Sequence, residues 1–364
     1  MSYPVLYQWT ETLGKRLPSL NSWQVMNVGL FSVGVLKAQS CQQEDVARQV
    51  ATSERVASCA RRWRRYLDNK QFPLSAFSQE WTKWVVTALP AGRVMLLVDE
   101  TKLADRIGAM VVGLAWEGRC IPLAWRCYVA NSKADYPAGG QVSLIRELLA
   151  TVQPGIPADR EVIVQADRGI GTSSDLCRAV TELGWSYLFR VTSTTKVCTL
   201  DGDYAIASMV QPGEQWSATG LVFKTNGRLP ATAHAIWDEG CEAPWALVTN
   251  APGLTGREYA MRNWQEQSFR DLKSGGWHWH DSRITHPDHM ARLLVLLTLA
   301  YAWAIALGSL AVSLGRAQPL QRHADGRVTR HWSLFREGLQ FFFEVVLRQD
   351  HFVALHFCPD SRFT

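Results

Sequence analysis

The apolar positions of this 364-residue chain change period several times, and each change marks a different kind of element. In the first ninety residues they recur every three or four positions. Val56, Cys59 or Ala60, Trp63 and Leu67 form one face of a helix through SERVASCARRWRRYLDNK, with Ser53 placed to cap it. A shorter helix, QEDVARQV, precedes it across a tight turn. After Pro90 the pattern becomes that of strands. Residues 93–98 end at Asp99, residues 107–116 end at the Glu117-Gly118 turn, and residues 120–129 continue with alternating bulk. A helix near 142–151, a strand ending at Asp167, a helix over 173–183 stopped by Gly184 and a strand over 185–191 follow. This order predicts an α/β fold, a mixed sheet with helices on its faces.

Residues 192–250 read as a β insertion, with Asn226-Gly227 as a hairpin turn and WALVTN as its last strand. Beyond them the chain reads as helical to its end. The expected organisation is therefore a helical region over 1–90, an α/β core over 91–191 and 251–315, the insertion over 192–250, and a helical segment over 316–364. In that last segment Trp332, Phe335, Leu339, Phe342 and Phe343 offer a surface for self-association. Residues 293–312 carry no charge for twenty positions, which is long enough to cross a bilayer. Eight of the twenty are Ala, Gly, Ser or Thr and nothing else in the chain is comparably apolar, so a helix inside a large core is the expected reading.

Composition narrows the setting. With 47% hydrophobic and 20% charged residues the chain is no disordered segment. The first eighteen residues hold no apolar run suited to secretion, and the eight cysteines lack C-x-x-C pairs, so a reducing cytoplasm is expected. Residues 1–90 carry eleven Lys/Arg against six Asp/Glu, while the remainder balances at 27 against 27, so the net charge of +5 belongs to the N-terminal region. A local surplus suits a polyanion such as DNA, and it suits a solvated face as well. Arg61, Arg62, Arg64 and Arg65 crowd one helix, compatible with a helix-turn-helix and also with a small bundle; as phosphate contacts they would read no base.

Two aspartates follow strongly apolar strands, in VMLLVDET and VIVQADRG. Asp99 and Asp167 thus stand where an open α/β sheet presents its site, although an aspartate after a strand is also an ordinary cap. A third carboxylate lies in REYAMRNWQEQSFRDLK. At ~100° per residue on a helix, Tyr259, Arg262, Glu266 and Lys273 share a stripe about 60° wide, with Arg270 beside it. A carboxylate ringed by cations and a tyrosine suits phosphates gathered around a metal ligand, whereas paired charges on a helix also serve solubility alone.

Tyr259, Arg262, Glu266 and Lys273 spell Y-x2-R-x3-E-x6-K, and on this motif the chain resembles the bacterial DDE transposases of the insertion sequence 4 family, which carry the YREK signature. The likeness extends to D-x-T beginning at Asp99, A-D-R around Asp167, the β insertion, and PWALVTN at 244–250. It covers roughly residues 90–310, and the first ninety only in helicity and basicity. The resemblance implies a ribonuclease-H-like core in which Asp99, Asp167 and Glu266 hold two Mg²⁺ ions, with Mn²⁺ as a substitute. Two such ions, about 3.5 to 4 Å apart, activate an oxygen nucleophile and relieve charge on an oxygen leaving group.

It further implies that Tyr259, Arg262 and Lys273 grip phosphates near the cut, with Arg270 and Arg168 nearby. Trp245 stands where related hairpin-forming enzymes stack a tryptophan on an extruded base, and equally where a strand buries a core aromatic. The expected partners are the double-stranded DNA of transposon ends and target, and a second copy of the chain in a synaptic complex, with no membrane. The expected setting is the bacterial cytoplasm, at the nucleoid. No phosphate-loop motif is present, so no nucleotide cofactor is expected. His278, His280, His286 and His289 raise a metal hypothesis, against which loop and DNA-contact histidines are the simpler reading. The same core serves structure-specific nucleases, and a retired transposase can persist as a DNA-binding regulator; joining of cut ends separates the first, metal-dependent turnover the second.

Overall fold

The computed structural model describes residues 3–132, 134–348 and 351–362. Five helices open the chain: α1 (Tyr3–Arg16), α2 (Ser22–Ala38), α3 (Gln43–Val50), α4 (Val56–Leu67) and α5 (Leu74–Ala88). Asn21 and Gln24 form a reciprocal capping box that starts α2. The start of α4 differs from expectation. Ser53 lies in a 3₁₀ turn (Ser53–Arg55) in which the Arg55 amide donates to the Thr52 carbonyl at 2.9 Å, and no side chain caps the entry. A backbone bond closes this turn, so the serine hydroxyl is not needed as the cap.

The α/β portion runs β1 (Val94–Leu103), β2 (Ile107–Trp116), β3 (Arg119–Val129), α6 (Gly140–Val152), β4 (Val162–Ala166), α7 (Arg168–Gly171), α8 (Ser174–Glu182) and β5 (Ser186–Arg190). β6 (Lys196–Thr199), β7 (Gly202–Ala205), β8 (Gln215–Val222), β9 (Leu229–Ile236) and β10 (Trp245–Thr249) follow. All ten strands form one sheet in the order β3-β2-β1-β4-β5-β10-β9-β8-β6-β7. β1, β4 and β5 are mutually parallel, and the flanking pairs are antiparallel. This is the expected ribonuclease-H-like mixed sheet with flanking helices. The strands of residues 192–250 extend this same sheet. β10 pairs with β5 on one side and β9 on the other, because its buried apolar residues complete a ladder that β5 would otherwise leave as an open edge.

α9 (Asn263–Leu272) and α10 (Pro287–Ser313) come next, then a hairpin of β11 (Leu320–Arg322) and β12 (Val328–Arg330), and α11 (Leu334–Phe341) with a π turn over Phe342–Leu347. The end of the chain is thus not wholly helical. Asp325-Gly326, with Gly326 at φ +82°, reverses the chain between the two short strands. α10 contains the long uncharged stretch and is long and apolar enough to cross a membrane, yet 94% of its most apolar window is buried inside the chain. It packs against β3, α2, α4 and α11.

One continuous core joins the first ninety residues to the sheet. Trp9 stacks on Trp303 at 4.4 Å, the Tyr66 hydroxyl donates to the Arg292 carbonyl at 3.0 Å, and Trp81 Nε1 donates to the Pro122 carbonyl at 2.9 Å. The change near residue 90 is therefore one of secondary structure and not a break in packing. At the other end of α10, an ideal Cβ on Gly308 would lie 1.9 Å from the Leu334 carbonyl oxygen, and one on Gly338 would lie 1.6 Å from that of Ala304. Only two glycines facing each other let α10 and α11 touch backbone to backbone. Phe335, Leu339 and Phe342, expected on a self-association surface, are buried by this docking. Their apolar face is already occupied within the chain.

Candidate active site

The parallel register of β1 and β4 brings the two aspartates together. The ladder ends at the pair Val98 and Ala166, and Asp99 and Asp167 are the next residues along the chain from each. β1 itself does not end there, as the sequence suggested, but runs on to Leu103 paired with β2. Asp99 is consequently a buried mid-strand residue, 8% exposed, whose Oδ1 accepts from the Glu100 amide at 2.9 Å. Asp167 does two things. Its Oδ1 caps α7 by accepting from the Ile170 amide at 3.0 Å, and its Oδ2 faces the site.

The expected single helix over the YREK residues is broken. Arg257–Arg262 is 3₁₀, and the α-helix begins at Asn263. With about three residues per 3₁₀ turn, Tyr259 and Arg262 eclipse each other, and both point inward instead of lining an exposed stripe. α9 is held over the strands by its other face. Gln265 Nε2 donates to the carbonyl of Val111, the cross-strand partner of Asp99, at 3.1 Å. Ser268 Oγ accepts from the Cys120 amide at 2.7 Å, and buried Asp271 pairs with Arg119 at 2.5 Å while accepting from the Tyr301 hydroxyl at 3.0 Å.

This anchoring sets Arg262 at the focus of three carboxylates. Its Nη2 lies 3.0 Å from Asp99 Oδ2 and 3.7 Å from Asp167 Oδ2, and its Nη1 pairs with Glu266 Oε1 one turn further on. Burial pushes the Asp99 carboxyl up to about 7, against the pull of Arg262. Burial also works against the charge of Arg262, but Asp99, Tyr259, Glu266 and Asp167 together hold its pKa above the ordinary arginine value. The Tyr259 hydroxyl is raised by burial, and the Lys273 amine is lowered by burial although Asp99 counteracts this.

A cleft of about 700 Å³ opens beside these groups, lined by Asp167, Arg168, Arg190, Trp245, Tyr259, Arg262, Asn263 and Glu266 among others. Trp245 meets Tyr259 edge-on at 5.2 Å and is half-buried, so it packs on the sheet and lines the cleft at once. Arg168 is exposed on α7, Arg270 is exposed on α9, and Lys273 sits half-buried at the α9 terminus outside the cleft lining. Arg190 and Asn263 are cleft residues that sequence reasoning missed. Arg190 closes β5 on the same edge of the sheet as Asp99 and Asp167, and it makes no ion pair among the described residues. A cation at the end of a strand parallel to those bearing the aspartates was the available signal.

Three hard oxygen donors converging on one cation suit a divalent metal in kind and in direction. Arg262 fills their focus, and among the described residues no group of three His, Cys, Asp or Glu side chains is arranged to hold a metal ion as it stands. The histidines do not make a metal site either. His278 precedes a 3₁₀ turn and His280 lies within it instead of the two alternating on a strand, His286 caps α10 through Nδ1, and His289 pairs with Asp68 at 3.0 Å.

On α4, Trp63, Tyr66 and Leu67 face the core while Arg61, Arg64 and Arg65 are exposed. Arg62 is the exception among the four arginines. Its Nε donates to Oδ1 of buried Asn27 at 2.6 Å, which ties it to α2 and removes it from the free basic face.

No curated protein matches the chain. The sequence profile of the family described as Transposase DDE domain matches residues 102–303, more than half of the 364. That span contains Asp167, Glu266 and the strands between them, and it begins three residues after Asp99. With the mixed sheet and the convergent carboxylates already in place, the match assigns the chain to the transposase DDE-domain family.

Proposed function

We propose that the chain is a transposase of the YREK type, in the insertion sequence 4 family, which cuts DNA at the ends of its element and joins them to a target. The observation that carries this reading is the convergence of Asp99, Asp167 and Glu266 on a single cationic group beside an arginine-lined cleft. In this reading the three carboxylates hold two Mg²⁺ ions, or Mn²⁺ in their place. When bound, the ions supply an activated oxygen nucleophile and charge relief on the leaving oxygen.

The chain's own residues bind and orient the DNA. Arg168 and Arg190 offer bidentate contacts to phosphate, and Lys273 and Arg270 add charge at the far end of α9. Trp245 and Tyr259 give an aromatic corner against which a displaced base can stack. Two copies, each bound to one end, would form the synaptic complex, acting where bacterial DNA lies, in the cytoplasm. The test is a purified-chain assay on DNA carrying the terminal inverted repeats that flank the gene. Mg²⁺-dependent cleavage followed by joining to a second DNA supports the reading. Cleavage without joining identifies a nuclease of the same fold, and binding without metal-dependent turnover identifies a DNA-binding regulator.

Two further results are expected. Arg190→Ala lowers end cleavage about ten- to a hundredfold, the usual cost of removing a charge-assisted hydrogen bond to phosphate, measured as single-turnover rate. Replacing Arg61, Arg64 and Arg65 together with Ala in the full chain flattens the plot of log DNA affinity against log salt, by ~0.9 for each phosphate that the arginines no longer neutralise. Arg62→Ala leaves that slope in place, because its guanidinium is engaged by Asn27. A slope equal to wild type in the triple variant would place the DNA elsewhere.

A further inference from the structure

We infer that Arg262 is the resident counter-cation of the metal-free site, and that a divalent cation and DNA displace it together, the metal taking the carboxylates as the guanidinium passes to a phosphate. The inference rests on reading Asp99, Asp167 and Glu266 as metal ligands. Three observations carry it. The guanidinium stands 3.0 Å from Asp99 and 3.7 Å from Asp167 and is paired with Glu266, so it holds the very oxygens a metal would need. Its Nε is buried with no hydrogen-bond partner among the described residues, so the position leaves one donor unsatisfied that a phosphate oxygen would satisfy. The route out is open: Arg262 is among the residues lining the cleft, Glu266 is 59% and Asp167 39% exposed along their side chains, and the exposed Arg168 already marks the same cleft as a place for anions.

Electrostatics makes the two occupants exclusive. A guanidinium and a doubly charged ion sharing the same carboxylate oxygens would repel each other at a few ångströms, in surroundings where that interaction is poorly screened. Metal alone must therefore bind against Arg262, and DNA alone must draw Arg262 away from three anions. Each ligand removes the obstacle to the other, so by linkage each strengthens the other by the same factor. The device keeps the carboxylate oxygens occupied until DNA arrives, which ties assembly of the cutting site to possession of a substrate.

The test uses the full chain, with Ca²⁺ as a hard, carboxylate-seeking probe followed by calorimetry and thermal shift, and a 20-base-pair duplex of arbitrary sequence as the phosphate source. Without DNA, Arg262→Gln is expected to bind Ca²⁺ at least about tenfold more tightly than wild type, while Arg262→Lys, which keeps a cation there, stays near wild type. The duplex is expected to tighten Ca²⁺ binding by wild type about 5- to 150-fold, the usual range for coupled sites, and to change that of Arg262→Gln far less. Equal or weaker Ca²⁺ binding by Arg262→Gln overturns the inference. Should that variant unfold without metal, the wild-type titrations decide alone, since Ca²⁺ affinity indifferent to the duplex also overturns it. If Asp167→Asn loses Ca²⁺ binding while Arg262→Gln matches wild type, only the inference fails; if wild type and Arg262→Gln both bind no Ca²⁺, the metal reading of the triad fails with it.

Discussion

Asp99→Asn, Asp167→Asn and Glu266→Gln are each expected to leave a folded chain that binds DNA and no longer cuts it, with a loss of at least about a thousandfold, or roughly 4 kcal/mol in the barrier. Each change removes one anionic oxygen set from the focus now filled by Arg262 and preserves size. Folding should survive in all three for different reasons. Asn caps a helix about as well as Asp, so the bond from the Ile170 amide to residue 167 persists. Position 99 is buried, and burial disfavours its charge, so a neutral amide there carries no desolvation cost of that kind. Glu266 is largely exposed and, among the described residues, pairs only with Arg262. DNA affinity should persist because, in the proposed reading, it comes mainly from cations elsewhere in the cleft and on α4. Single-turnover cleavage of an end-bearing duplex, with binding measured in parallel, checks the set. A variant cutting at near wild-type rate removes that residue from the site.

Gly308→Val or Gly338→Val is expected to destabilise the chain by more than about 4 kcal/mol, enough to prevent α11 from docking. A Cβ at either position would fall inside the van der Waals radius of a carbonyl oxygen on the facing helix, at 1.9 or 1.6 Å. No rotamer change relieves a clash with backbone, so the helices must separate. Separation uncovers Phe335 and Phe342 and the far end of α10, which is buried along most of its length. Because the two positions guard one crossing, their effects should not add, and the double variant should be little worse than either single one. Denaturant unfolding of the purified variants measures this. A loss under about 1 kcal/mol would mean that the crossing opens without cost to the core.

Periodicity and turn residues were enough to place most elements. Ile107–Trp116 and the strand entering Asp167 stand where their apolar runs put them, because a strand buried on both faces is built almost entirely of apolar residues, Gln165 being the one polar side chain buried in the second. The departures have local causes as well. Asp99 looked like the end of a strand because a charge interrupts an apolar run, yet β1 continues through Leu103 since β2 pairs with it along that whole stretch. The helical stripe at 257–273 assumed one period, and the first turn is 3₁₀. The Asp325-Gly326 reversal carried a turn signal that the helical pattern around it obscured.

What the sequence determined by itself was the local and periodic part: the α/β class, the apolar helix for the core, the excess of arginine on α4, and the Y-x2-R-x3-E-x6-K spacing that pointed to a transposase. Tertiary structure alone decided which charges meet. Asp99 and Asp167 are 68 positions apart and become neighbours through the parallel register of two strands, and Glu266 reaches them because Gln265 and Ser268 fasten α9 to β2 and β3. The same holds for Arg262, which turns inward to three carboxylates, for Arg62, which Asn27 claims, and for Arg190, which the edge of the sheet carries into the cleft. A side chain's charge is written in its own residue, but the partner that satisfies it is fixed by packing between segments distant in sequence, and that packing exists only once the chain has folded.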